Sequence, residues 1–389
     1  MKKLDTASSA APGCSANRPG GEIGSSPLEP TAAIWTGANT SMALRITEQK
    51  KKCLQAVADP RGIIAALAID QRSALRKLFA KAMNVEPDYV TVEKLAQFKE
   101  AVSRILTPHA SAILLDPEYG LPAARQRTKN AGLLLAYEKS GYNKNTPGRI
   151  PQLLDRWSVR RLAAAGANCV KLLLYYSSTS AAEINDAKHA FVERVGAECA
   201  EADVPFFLEL VGYGEGMDDK GAEFARIKPE VVTQGMAEFS KPEYRVDVLK
   251  VGLPVNLAYV EGSPAVGKEV LYRRREALAH CRRAASAAQL PFIYLSEGVS
   301  NEAFQFGLEL AFEAGARFSG VLCGRASWQD GVPIFVKQGA KALDDWLAKD
   351  GVQNIQNVNR CLAAAQPWYM APAPSAPSRL PRRKGKGRP

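Results

Sequence analysis

Val246-Asp247-Val248-Leu249-Lys250-Val251-Gly252-Leu253-Pro254 is a near-continuous apolar run, closed by a proline and interrupted in its middle by one lysine. A short run that is apolar at both odd and even positions belongs to a strand covered on both faces, the condition of a parallel sheet. Seven further runs share this character: residues 63–70 (IIAALAID), 111–117 (SAILLDP), 132–138 (GLLLAYE), 168–176 (NCVKLLLYY), 205–213 (PFFLELVGY), 291–298 (PFIYLSEG) and 319–326 (SGVLCGRA). The stretches between them carry helical periodicity, clearest over residues 181–202 and 272–288. Eight strand–helix units close most naturally into a (β/α)8 TIM barrel; a doubly wound open sheet is the alternative.

The chain has 389 residues, enough for one such barrel with extensions. Residues 1–41 are rich in Gly, Ser, Ala, Pro and Thr without apolar periodicity and are expected to be disordered, as is the Pro/Ala-rich, then basic, tail 371–389. The single barrel domain is therefore predicted over residues 42–370. Six of the eleven excess positive charges fall within residues 379–388, so the barrel itself is only mildly basic and no nucleic-acid partner is expected. The seven cysteines are scattered without metal or redox spacing, as in a reduced cytoplasmic chain. Three distant histidines make a metal site unexpected, and no segment is long and apolar enough to span a bilayer.

In a barrel of this kind the chemistry sits at the C-terminal ends of the strands. Asp70, Asp116, Lys171, Glu209, Lys250, Ser296 and Arg325 all lie within or just after their runs. Lys250 can pair with a carboxylate like any buried charge, or serve as a nucleophile that forms a Schiff base with a carbonyl substrate. On the second reading Lys171 adds a positive charge that keeps Lys250 neutral, Glu209 moves protons, and Asp70 orients a hydroxyl or balances the lysines. Ser296 and Gly298 after the seventh run, with Gly324 and Arg325 after the eighth, suit a phosphate, the guanidinium offering two parallel donors. A phosphorylated carbonyl compound is the implied ligand.

These residues resemble a known family. Ala68-Ile69-Asp70-Gln71-Arg72, Leu114-Leu115-Asp116-Pro117-Glu118-Tyr119-Gly120-Leu121-Pro122, Val170-Lys171-Leu172-Leu173-Leu174-Tyr175-Tyr176, Phe206-Phe207-Leu208-Glu209, Asp247-Val248-Leu249-Lys250-Val251 and Gly320-Val321-Leu322-Cys323-Gly324-Arg325-Ala326 are similar to the class I tagatose 1,6-bisphosphate aldolases over residues 42–368. The resemblance implies metal-free, cofactor-free, reversible cleavage of a ketohexose 1,6-bisphosphate to dihydroxyacetone phosphate and glyceraldehyde 3-phosphate. It implies Lys250 as the Schiff-base lysine, Glu209 as the proton-transfer group, and Lys171 and Asp70 as its assistants. Gln71, Ser296 and Arg325 fall at the ketone-side phosphate end, and Arg72 at a position that receives the distal phosphate.

The chain departs from the family pattern at three places. Gly252 stands where a carboxylate is usual, Glu297 where a small residue is usual, and Gly212-Tyr213-Gly214 where Thr-Tyr-Asp is usual. Two other readings accommodate these changes: an aldolase of a sulfo- or deoxy-sugar phosphate, and a non-catalytic sugar-phosphate sensor whose basic tail touches a partner. A homodimer is expected only as the commonest closed assembly.

Overall fold

The computed structural model describes residues 46–141 and 147–370; the expectations for the two tails and for a start at residue 42 lie outside the described residues. Eight parallel strands close into a barrel in sequence order: β1 (Ile64–Ala68), β2 (Ala112–Leu115), β3 (Gly132–Ala136), β4 (Cys169–Tyr176), β5 (Phe206–Gly212), β6 (Val248–Val251), β7 (Phe292–Leu295) and β8 (Gly320–Cys323). Every strand lies inside one of the eight runs read from the sequence, and β1 pairs with β8 to shut the sheet, which rules out the open doubly wound alternative.

Helices pack around the outside. They are α1 (Glu48–Ala56), α2 (Ser73–Met83), α3 (Val92–Leu106), α4 (Leu121–Gln126), α5 (Val159–Ala164), α6 (Ala182–Glu201), α7 (Ala222–Glu238), α8 (Arg274–Ala287) and α9 (Asn301–Glu313), with shorter helices after β8. Several starts are fixed locally. Thr47, Thr91, Ser158 and Ser300 each accept a hydrogen bond from a first-turn amide, satisfying a donor the helix itself leaves unpaired.

The two faces of each strand build two separate cores. Leu67, Ile113, Leu135, Leu172, Leu208 and Leu249 face the helices. Their neighbours Ala66, Ala68, Leu114, Ala136, Cys169, Phe207, Val248 and Leu322 fill the barrel interior. Because both faces are buried, the two-residue alternation of a strand is hidden in the hydropathy pattern. At the N-terminal ends of the strands the interior is stoppered by Leu54 and Val57 near α1 and by Trp368. Trp368 is held there by its amide donating to the Gly62 carbonyl, and the Gln366 amide donates to Phe318. The polar groups lie at the opposite mouth.

One ion pair fastens the β1 and β2 ends. Lys99, on α3, and Asp116 are both fully buried and bonded to each other. Lys99 Nζ also donates to the Ile69 carbonyl, and Asp116 Oδ2 accepts from the amides of Glu118 and Tyr119. Asp116, one of the strand-end polar residues singled out above, is thus committed to structure. Asp116→Ala would strand the Lys99 ammonium away from water and should lower the unfolding free energy by about 3–5 kcal/mol. Asp344→Asn, which breaks the solvent-exposed pair with Arg104, should cost no more than about 1 kcal/mol. Denaturant titration of both variants checks the contrast.

Candidate active site

The inward positions of the strands rise in steps of two residues, and the step above the apolar interior is polar. Ala68 is followed by Asp70, Ala136 by Glu138, Cys169 by Lys171, Phe207 by Glu209 and Val248 by Lys250. Glu209 and Lys250 are lateral partners on β5 and β6, so their side chains leave the sheet side by side. All five polar side chains are buried.

Lys171 Nζ lies 2.8 Å from each of three carboxylates: Asp70 Oδ2, Glu138 Oε1 and Glu209 Oε2. The same Glu209 oxygen is 2.9 Å from Lys250 Nζ. One carboxylate oxygen is therefore shared by two ammonium groups. Burial opposes the charged form of Lys171, but Asp70, Glu138 and Glu209 outweigh it and hold its pKa well above the ordinary lysine value. Burial likewise opposes the charged forms of Asp70 and Glu209, yet Lys171 and then Lys250 pull both carboxyls below their ordinary range. Three carboxylates surround Lys171, partners that the expectation of repulsion between Lys171 and Lys250 did not include. Both readings of Lys250 meet here, because it is paired and yet stands at the mouth of the barrel.

Glu138 was missed in the sequence. It ends its apolar run two residues past Ala136, the same inward spacing that marks Asp70 and Lys250, and that parity was the available signal. Its Oε2 accepts from the Leu173 amide and its carbonyl accepts from Arg72 Nη2 at 2.6 Å.

The ligand-binding candidates divide. Asp70 Oδ1 and Gln71 Oε1 are buried without a protein hydrogen-bond partner. Ser296 is buried at the end of β7. Gly298 has φ of 78°, and a Cβ there would lie 2.5 Å from the Arg325 guanidinium carbon, so only glycine lets that group lie against the turn. A Cβ at Gly324 would sit 3.4 Å from Gln71 Nε2, bringing the β1 and β8 ends together. Arg72 is buried, with Nη1 2.6 Å from Glu118 Oε2. It lines a cleft of about 780 Å³ that also holds Arg76, Lys139, Arg156 and Trp157.

The departures from the family pattern have visible consequences. Glu297 adopts φ of 49° and extends its carboxylate over Gly252, where a Cβ would overlap Oε1. Lys228 of α7 holds that carboxylate at 2.9 and 2.8 Å. Tyr213 is fully buried, its hydroxyl 3.0 Å from Lys188 Nζ and 2.9 Å from Glu215, with the Arg149 guanidinium 4.5 Å from its ring centre. Gly214 leaves room for the Met217 side chain.

A buried lysine sharing a carboxylate at the C-terminal mouth of a (β/α)8 barrel defines a class of site fitted to covalent chemistry on a carbonyl. Residues 64–330 match the family described as DeoC/LacD family aldolase, and the chain belongs to that family. It is 53% identical over 329 residues to tagatose 1,6-diphosphate aldolase 2 of Enterococcus faecalis, spanning 84% of this chain and 97% of that one. A tagatose 1,6-diphosphate aldolase of Staphylococcus aureus is 50% identical over 317 residues, spanning 81% and 96%. Among solved structures, a fructose-bisphosphate aldolase of Plasmodium falciparum superposes with a TM-score of 0.59 at 15% identity, covering 82% of this chain and 95% of that one, a likeness of fold. Among the described residues no helix is long and apolar enough to cross a membrane, and no group of three or more His, Cys, Asp or Glu is placed to hold a metal ion.

Asp70 and Glu209 have depressed native pKa values, so the stability they contribute is present above the unfolded carboxyl value of about 4 and is lost as pH falls through the native values. In Lys171→Met the same carboxylates are buried without their cation and their pKa values rise, reversing the sign. The variant should be less stable by about 3–5 kcal/mol at pH 7, and the deficit should shrink as pH falls toward 4. Denaturant titrations at pH 7, 5 and 4 measure it.

Proposed function

We propose that the protein is a class I aldolase that reversibly cleaves a ketohexose 1,6-bisphosphate to dihydroxyacetone phosphate and glyceraldehyde 3-phosphate. Tagatose 1,6-bisphosphate, named for its relatives, is the proposed substrate. The observation that carries this reading is the single Glu209 oxygen held between Lys250 and Lys171. A group in hydrogen-bond reach of the nucleophile can take and return its protons without moving.

Lys250 Nζ, its proton passed to Glu209, adds to the C2 carbonyl. The resulting carbinolamine loses water as Glu209 returns a proton to the departing hydroxyl, leaving an iminium. Glu209, ionised again, takes the C4 hydroxyl proton as the C3–C4 bond breaks: the aldehyde half leaves with a C4 carbonyl, and the bonding pair moves into the iminium to give an enamine. Protonation at C3 and hydrolysis release the ketone half and restore Lys250. The iminium is the electron sink, so the scheme requires neither a metal nor a cofactor. Lys171 keeps the positive charge that stabilises the ionised form of Glu209 whenever the latter holds no proton.

Asp70 Oδ1 and Gln71 Oε1, lacking protein partners, suit substrate hydroxyls. Arg325, with Ser296 and the backbone at Gly298 and Gly324, is the proposed holder of the ketone-side phosphate. Arg72, in its cleft with Arg76, Lys139 and Arg156, is the proposed receiver of the distal one. No membrane or nucleic-acid partner enters this scheme, and the described cysteines, all free thiols, accord with a cytoplasmic enzyme that works as a homodimer or alone.

Borohydride reduction in the presence of dihydroxyacetone phosphate, with chelator present, should fix label on Lys250, and Lys250→Ala should take up none. A folded wild-type chain that takes up none would overturn the mechanism in favour of a non-catalytic sensor. Glu209→Gln should lower kcat by about 10²–10⁴-fold with a smaller change in KM.

A further inference from the structure

The β7–α9 turn does two things with consecutive residues. Gly298 makes room for the Arg325 guanidinium, and Glu297 turns its carboxylate over Gly252 into the grip of Lys228. Gly252 lies two residues beyond Lys250, at the mouth. Among the described residues no carboxylate pairs with Arg325, whereas Glu297 binds both of its oxygens to Lys228. The Lys228 side chain is 7% exposed and that of Glu297 32%, so the negative partner is the one that faces the mouth.

A carboxylate one residue from an anion cradle repels the anion it is meant to receive, and an ammonium bound to that carboxylate cancels the repulsion. We propose that Gly252, Glu297 and Lys228 form a charge-balancing unit that sets how tightly the adjoining Arg325 cradle holds a phosphate. Gly252 supplies the space, Glu297 the charge, and Lys228 the compensation. Glu297 and Lys228 are positioning residues in this scheme and need not touch the ligand. The inference rests on the proposed phosphate site at β7 and β8.

The two members of the pair act with opposite signs. Lys228→Met leaves Glu297 uncompensated and weakens phosphate binding. Glu297→Gln frees the Lys228 ammonium and tightens it. Each change should be about fivefold at low salt and smaller at high salt. The double variant should return near the wild-type affinity, because neither charge remains. A Cβ on Gly252 meets only the end of the flexible Glu297 side chain, so the fold tolerates an exchange. Gly252→Glu combined with Glu297→Ala roots a carboxylate beneath the same Lys228 and should also restore wild-type affinity.

The test is calorimetric titration of the full chain with inorganic phosphate for these variants and for Arg325→Ala, with thermal melts to confirm that each is folded. Opposite shifts for Lys228→Met and Glu297→Gln, cancelling in the double variant and restored in the exchange, establish the unit. Shifts of the same sign, or none, while Arg325→Ala still weakens phosphate, overturn this inference and leave the phosphate site standing. Absence of Arg325-dependent phosphate binding in the wild type overturns both. If Lys228→Met or Glu297→Gln fails to fold, the other decides: no shift, or a shift of the opposite sign to the one given for it, overturns the inference.

Discussion

Lys171 cannot be placed where it is without its three carboxylates. Its side chain is fully buried, and removing an ammonium from water costs several kcal/mol that a single carboxylate, itself desolvated, does not return. Asp70 and Glu138 lie two residues past β1 and β3, Glu209 lies in β5, and all three converge on one nitrogen. The barrel must therefore hold β1, β3, β4 and β5 at fixed heights relative to one another, or the charge is left unmatched. Glu209 then carries the constraint outward, since the oxygen that completes the Lys171 shell is also the one facing Lys250. Any step that protonates Glu209 changes the environment of both lysines at once.

The supporting fold follows from the two-residue period of a strand. Residues below the cluster on the inward face, such as Ala136, Phe207 and Val248, are apolar and close-packed. Trp368 and the residues of α1 shut the far end. The cluster thus stands on a dry floor with an open side only at the strand ends. A low-polarity floor strengthens every interaction above it and makes an unpaired charge there correspondingly costly, which is why the polar set is either complete or absent at a given level.

Much of this was legible in the sequence because the polar exceptions occur inside short apolar runs. Lys250, Lys171 and Glu209 announce themselves as charges where a covered strand has no other use for one, and Asp70 stood out through the Ala68-Ile69-Asp70-Gln71-Arg72 stretch at the end of its run. Glu138 did not, since it falls at the end of its run, where a charge is ordinary, and only the inward parity of Ala136 and Glu138 distinguishes it. Asp116 misled in the opposite direction. Its position resembles that of the lysine–carboxylate set, but its partner is Lys99, seventeen residues earlier on a helix, and no strand pattern points there. Lys228 and Glu297 are sixty-nine residues apart and owe their meeting to the missing side chain of Gly252. An absence of that kind has no sign in a single sequence until a fold shows what occupies the space. The burial of Arg72 against Glu118 and the Glu138 carbonyl depends on two other loops and has no sign in its own stretch of sequence.

The division between these groups is also a division of labour. The lysine–carboxylate cluster is built from strand residues whose positions are locked by register, and a change in any one of them leaves another charge unmatched. The groups at the rim, Arg325 against Gly298, Glu297 over Gly252 and Arg72 beside Glu118, are set by turns and by side chains that reach across from neighbouring units. Two of these groups carry their own counter-charge, Glu297 from Lys228 and Arg72 from Glu118, whereas among the described residues no carboxylate pairs with Arg325. On the proposed mechanism the bond-breaking chemistry is tied to the interior of the barrel, and on the proposed charge balance the hold on a ligand's anionic ends is adjusted at the rim.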